Sequence, residues 1–255
     1  EAMEKIEAAG TPVVCINYSK GTEEMQVRST EILGKLFQVE DRAQEIIDLY
    51  REKTHAIVER TSKITDKKTA FDEWLNIISS YREISKSGSP SGYLGLYMQE
   101  AGADDIINVF IEQNNDSDNT TMTMSLEFIL DQDPEFYFPI GGERSGNSGD
   151  GLLMGYGVTE EEFLASAAGL LSSRPGFANI NAVKNNNVYC IEDGILRTMH
   201  DYTVVEYMAK SMYPEEFEDI DPEQDFRDFA EKYLPMLPID DGIFFYHLDL
   251  NQYGQ

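Results

Sequence analysis

Over residues 40–64 the chain places Ala43, Ile46, Ile47, Tyr50, Ile57 and Ile64 at the spacing of one helical face. At 1.5 Å per residue this helix is roughly 35–40 Å long, the length of a small domain. Glu59 and Lys63 stand one turn apart on its exposed side, as Glu31 and Lys35 do on the segment before it. A helix of that length predicts a rigid strut between two lobes, and the remaining segments are read around it.

Ahead of the strut, residues 1–9 have helical spacing, Gly10 suits a C-cap, and residues 11–17 form an apolar run that predicts a buried strand. A second helix is expected over 22–37. The abrupt start in an amphipathic helix leads to the expectation that sequence preceding it is missing. Beyond the strut, strands are expected over 74–80, 106–112, 135–140 and 187–192. Helices are expected over 92–101, 125–132, 159–172, 201–212 and 222–234, and residues 243–246 suit an edge strand. Residues 85–90 read as a polar turn. Alternating strands and helices give the α/β class with an open sheet, a Rossmann-like C-terminal lobe. The division follows: 1–39 as a remnant of an N-terminal lobe, 40–66 as the connecting helix, and 67–255 as the C-terminal α/β lobe.

Asp and Glu number 47 against 20 Lys and Arg, a formal charge of -27. That field repels phosphate backbones, so nucleic acid is excluded as a partner. Cys15 and Cys190 are the two cysteines, each inside an apolar run without C-x-x-C spacing, and both are expected to be small buried thiols rather than disulfide or zinc residues. His55, His200 and His247 are scattered without ligand spacing, so neither a metal cage nor a cofactor is expected. With no G-x-S-x-G elbow and no base beside a nucleophile, no catalytic residue is assigned. No apolar run reaches the length of a membrane span.

The Gly-rich loop 141–151 follows an expected strand, the position at which open sheets bind ligands, but it matches no nucleotide-binding pattern. Arg144 within it is either a cleft cation for a ligand carboxylate or a surface residue. His200 opens a helix just after a strand and either faces the cleft or packs at the helix start. Tyr81, Tyr93, Tyr97, Tyr156, Phe177 and Tyr202 fall near loops, where flat rings suit large planar ligands as well as core packing. Tyr93, Arg144, Tyr156, Phe177 and His200 are the candidate ligand contacts.

Several stretches carry a resemblance. Residues 8–14 (AAGTPVV), 33–37 (LGKLF), 125–135 (SLEFILDQDPE), 174–177 (RPGF), 181–189 (NAVKNNNVY) and 213–217 (YPEEF) stand in this order. The order resembles the substrate-binding proteins of ABC importers with a helical backbone, which carry ferric siderophores, haem and cobalamin. The resemblance implies an extracytoplasmic, non-enzymatic receptor that captures a metal chelate and delivers it to a membrane permease, and, set against the family's segments, a chain lacking most of the N-terminal lobe. It also implies that Glu127 matches the C-lobe glutamate that docks on the permease; the alternative is a helix-start Glu that complements the dipole. A sensor or adhesin ectodomain and a metal-cofactor enzyme subunit are the rival readings.

Overall fold

A computed structural model describes residues 2–19, 22–75, 85–88, 92–114, 121–143 and 151–250. Helices α1 (Ala2–Ala8), α2 (Glu23–Phe37) and α3 (Glu40–Thr61) precede the first strand, β1 (Thr69–Trp74). Then come β2 (Ser85–Gly88), α4 (Tyr93–Glu100), β3 (Asp104–Asp105), α5 (Ile107–Asn114), β4 (Thr121–Thr123), α6 (Leu126–Gln132) and β5 (Phe136–Gly141). The rest comprises β6 (Gly155–Tyr156), α7 (Glu160–Ala167), α8 (Gly169–Ser172), α9 (Asn181–Lys184), β7 (Tyr189–Glu192), α10 (Tyr202–Met212), α11 (Pro222–Tyr233), β8 (Gly242–Ile243) and β9 (Phe245–His247).

The strut exists. Ala43, Ile47, Tyr50, Thr54, Ile57 and Thr61 make its buried stripe, spaced four and three residues alternately, as a single helical face requires. Glu40 and Asp41 in its first turn and Arg60 in its last complement the helix dipole. It ends at Thr61, three residues short of the expected end. Helix α2 lies against it so closely that a Cβ on Gly34 would stand 2.6 Å from the Ala43 Cβ.

The sheet has the order β3-β1-β5-β7-β9, parallel except for the antiparallel edge strand β9. Helices cover both faces, so β5 is buried at every position, as a parallel strand must be. Side chains divide by strand alternation. Ala70, Phe136, Phe138 and Ile191 pack with α4, α10 and α11 on one face. Phe71, Tyr137, Val188 and Cys190 pack with Phe163 and Phe177 on the other. A third cluster, Val27, Ile47, Tyr50, Met199, Tyr202, Phe229 and Tyr233, fastens α2 and α3 to α10 and α11.

Several expectations need correction. Residues 11–17 form no strand: Val14 is 50% exposed, Ile16 is 41% exposed, and Cys15 is exposed as well. A strand needs a neighbour to take its N–H and C=O groups, and none adjoins this segment among the described residues. The expected strand 106–112 is helix α5. Its apolar residues also fit helical spacing, and the Asp105 carboxylate accepts the Ile107 N–H at 3.1 Å, which favours a helix start. The strand expected at 74–80 ends at Trp74, with 76–80 outside the described residues. Residues 85–88, read as a turn, pair antiparallel with β4. The single helix expected over 159–172 is two, α7 and α8, of which α7 opens with a full Thr159–Glu162 capping box.

Candidate ligand-binding cleft

The C-terminal ends of β1, β5 and β7 point the same way, which is where an open parallel sheet offers its loops to a ligand. β1 ends in Trp74. After β7 a 3₁₀ turn over Asp193–Ile195 leads to Arg197, whose φ of 63° is left-handed and unusual for a side chain of this size. That backbone is held by its N–H, which donates to the Tyr97 hydroxyl at 3.1 Å. The guanidinium then lies 5.0 Å from the Tyr93 ring centre and 5.7 Å from that of Trp74, and reaches Asp193 at 3.4 Å. The Trp74 indole N–H donates to the same Asp193 carboxylate at 3.0 Å. Trp74 and Tyr93 meet edge to face at 5.7 Å, and Tyr93 and Tyr97 at 5.9 Å. The result is an aromatic wall carrying one cation, about two-thirds buried.

Beneath the wall, Asp201 receives the Tyr97 hydroxyl and, at 2.7 Å, the Gln26 amide. Burial raises its pKa to about 7 against the lowering effect of these two donors. Gln26 belongs to α2, so this hydrogen bond ties α2 to the start of α10.

Beside the wall opens a pocket of about 580 Å³ between α2, the first turns of α3, the end of α11 and residues 192–200. Leu33, Phe37, Ile46, Phe226, Phe229 and Leu237 give it an apolar lining. Tyr18 and Tyr156 flank it, and Arg42, Glu192, Arg197 and His200 supply its charged or titratable groups. Arg42 donates to the Tyr233 carbonyl at 3.1 Å and stacks over that ring at 5.5 Å. Burial raises the Glu192 carboxyl to about 7, partly offset by the N–H groups of Gly194 and Ile195. The His200 ring sits 4.8 Å from Phe229 and 5.6 Å from Phe226, and burial lowers its pKa to about 4, so the imidazole is neutral at pH 7.

The sequence-derived candidates fall in different places. Tyr93 stands in the wall, while Tyr156 and His200 line the pocket. Phe177 is not brought to this site: it is fully buried under the opposite face of the sheet, 5.5 Å from Tyr137 and 5.1 Å from the Arg174 guanidinium. The Pro-Gly turn before it directs the ring into the core. Arg144 and Tyr81 lie outside the described residues. Glu127 is exposed in the first turn of α6, whose N-cap is Ser125. His55 pairs with Glu23 at 2.7 Å, and His247 stacks on Tyr189, both away from the pocket. Trp74, Arg197, Arg42 and Tyr18 were not singled out by sequence reasoning. The signal for Trp74 was its place as the sole tryptophan beside an expected strand. Among the described residues, no group of three or more His, Cys, Asp or Glu side chains is arranged to hold a metal ion, and no helix is long and apolar enough to cross a membrane.

A family model described as periplasmic binding protein matches residues 1–193. The chain belongs to the periplasmic binding protein family. Its members are extracytoplasmic and bind substrates, so this is not an enzyme family. Among solved structures, the TroA-like periplasmic binding protein FepB from Veillonella parvula is 30% identical with a TM-score of 0.82, over 96% of this chain and 67% of that one. A periplasmic haem-binding protein from Pseudomonas aeruginosa is 14% identical with a TM-score of 0.61, over 83% of this chain and 67% of that one. Helicobacter pylori CeuE, solved with Ni(II) bound, is 16% identical with a TM-score of 0.60, over 89% of this chain and 64% of that one. The last two are likenesses of fold. This binding protein therefore spans about two-thirds of the length of these structures. No curated protein matches its sequence.

Proposed function

We propose that this binding protein captures a metal chelate of the ferric siderophore, haem or cobalamin class outside the cytoplasm and hands it to an ABC permease, with no bond made or broken. The observation that carries the reading is the Trp74–Tyr93–Arg197 wall at the carboxyl ends of the parallel strands, beside an apolar pocket. Rings present flat faces to a large ligand, and the guanidinium meets its anionic oxygens. Residues 1–39 belong to a first lobe, 40–66 to the connecting helix and 67–255 to a second lobe. Closure of the lobes about the stiff α3 signals occupancy. Exposed Glu127 is the contact to a permease arginine, a rim charge that steers docking. In the full-length protein a lipid or membrane anchor holds the receptor at the cell surface.

Trp74, the sole tryptophan, makes the test direct. Titrating haemin, a ferric trihydroxamate, a ferric catecholate and cobalamin into the full-length protein is expected to quench its fluorescence saturably for at least one of them. Absence of saturable quenching by all four would refute the ligand class. Glu127→Ala is expected to leave that quenching intact while reducing uptake in cells.

A further inference from the structure

We infer that Asp201 is a positioning residue for capture: with Gln26 of α2 and Tyr97 of α4 it forms a buried hydrogen-bonded chain that sets the left-handed turn at Arg197 and holds that cation on the aromatic wall while α2 is seated. This rests on the reading of the wall as the ligand contact, and it adds a control that the wall residues do not themselves supply.

The chain runs without a break. The Gln26 amide donates to Asp201 at 2.7 Å, the Tyr97 hydroxyl donates to the same carboxylate oxygen, and the Arg197 N–H donates to that hydroxyl at 3.1 Å. Gln26, Tyr97 and Asp201 are all buried. The main-chain N–H groups of Thr198 and Arg197 also favour the ionised carboxylate. Asp201 therefore gathers the donors of the very turn in which Arg197 has a φ of 63°. A non-glycine residue keeps such a backbone only where its surroundings impose it.

Gln26 supplies a second sign that the carboxylate is in command. Its amide turns a nitrogen to Asp201 and leaves Oε1 buried without a partner among the described residues. An unpartnered buried oxygen is unfavourable, and the orientation holds because an ionised carboxylate takes only donors. The seat of α2 is thus tied to the charge state of Asp201.

Burial raises the Asp201 carboxyl to about 7, against the lowering effect of its donors. Once protonated it carries an O–H of its own and no longer accepts from all of them. Around it, burial first and the Asp201 charge second push up Tyr97 of α4 and Tyr50 of α3, which stay neutral hydroxyls. Glu100 of α4 is raised to about 7 by burial, by Asp201 and by Glu23 of α2. His200, next in the chain, is neutral at pH 7. Among these groups, Asp201 and Glu100 are the two that titrate near neutral pH.

The test uses the ligand-free full-length protein and the emission of Trp74, isolated as the difference between the parent and Trp74→Phe. A pH titration is expected to show a red shift below a midpoint near 7, as protonation of Asp201 releases the turn and water reaches the indole. Asp201→Asn, checked for native far-UV circular dichroism, is expected to show the red-shifted emission throughout, and Glu100→Gln to keep the step. Gln26→Met and Tyr97→Phe each remove a donor to the carboxylate, so each is expected to raise the midpoint. No step in the parent, a step that survives Asp201→Asn or is abolished by Glu100→Gln, or a midpoint that Gln26→Met leaves unchanged overturns the inference. A merely structural Asp201 would alter the emission without these pH effects. If Asp201→Asn does not fold, the midpoints of Gln26→Met and Tyr97→Phe decide. At pH 8 a ferric tricatecholate, an anionic probe, is expected to bind Asp201→Asn at least about tenfold more weakly than the parent, and equal affinity overturns the inference. Chelate binding without the Trp74 step removes the positioning chain and leaves capture standing. The full set of pH effects in a protein that binds none of the four chelates above removes capture and leaves the hold on Arg197 standing.

Discussion

Replacing Arg174 by Met is expected to cost about 3–5 kcal/mol, the usual penalty for stripping one partner from a buried ion pair. The Arg174 guanidinium grips the Glu73 carboxylate with two parallel hydrogen bonds, at 2.5 and 2.7 Å, and both side chains are 1% exposed. The Tyr137 hydroxyl donates to the same carboxylate at 2.6 Å. With charge centres about 4 Å apart and an effective dielectric of about 20, the attraction lost is about 4 kcal/mol. Methionine keeps most of the apolar volume against Phe177 but leaves Glu73 charged within the sheet. Against a total stability of about 5–15 kcal/mol, such a loss is large. Urea unfolding followed by Trp74, which neighbours Glu73 in β1, reads it as a midpoint lowered by more than about 1 M for a slope near 3 kcal/mol/M. The double variant Glu73→Gln with Arg174→Met carries no buried charge and retains an acceptor for Tyr137, so it is expected to recover at least half of the loss. A single-variant cost below about 1 kcal/mol, or a double variant no more stable than the single one, would refute this account of the pair.

Three further outcomes are expected. Gly34→Ala should destabilise by about 1–3 kcal/mol in thermal or urea unfolding, despite alanine's better helix propensity, because its Cβ would stand 2.6 Å from that of Ala43; a stabilised variant would show that α2 and α3 do not pack this tightly. Burial raises the Glu206 carboxyl to about 8, so between pH 4.5 and 8 the folded state holds a proton that the unfolded state has released, and this group's contribution to stability falls as pH rises. Glu206→Gln should flatten that part of the pH–stability curve and be more stable than the parent at pH 8 by up to about 4 kcal/mol; an unchanged slope would count against it. Cys15 is exposed, whereas burial pushes the Cys190 thiol up, so a thiol reagent should modify one cysteine in the native protein and two in urea.

Much of the fold could be read from local pattern. The stripe from Ala43 to Ile57 specifies α3, because a helix buries every third or fourth residue whatever its neighbours do. Ser125 and Thr159 announce the starts of α6 and α7 through caps that operate within four residues. The runs at 135–140 and 187–192 are strands because both of their faces are apolar. Pattern failed where it was ambiguous or needed a partner. The apolar residues of 106–112 satisfy two periods, and residues 11–17 have strand composition without an adjoining strand among the described residues.

The site was less legible than the fold. Tyr156 and His200 were singled out for flat or polar rings near strand ends, and both line the pocket; Phe177 was chosen on the same grounds and faces the core. Which side of the sheet a loop residue faces depends on the turn that precedes it. Arg197 marks the limit most clearly, since its place over Trp74 and Tyr93 depends on a left-handed backbone and on Tyr97, 100 positions earlier in the chain. The sequence by itself determined the α/β class, the stiff helix, the acidic surface and the family. Only the tertiary structure decided which aromatic rings, cations and imidazole share one cavity. Periodicity acts over a turn or a strand, whereas a binding site joins residues from α2, α3, β1, β7 and α11 whose meeting is encoded in no single stretch.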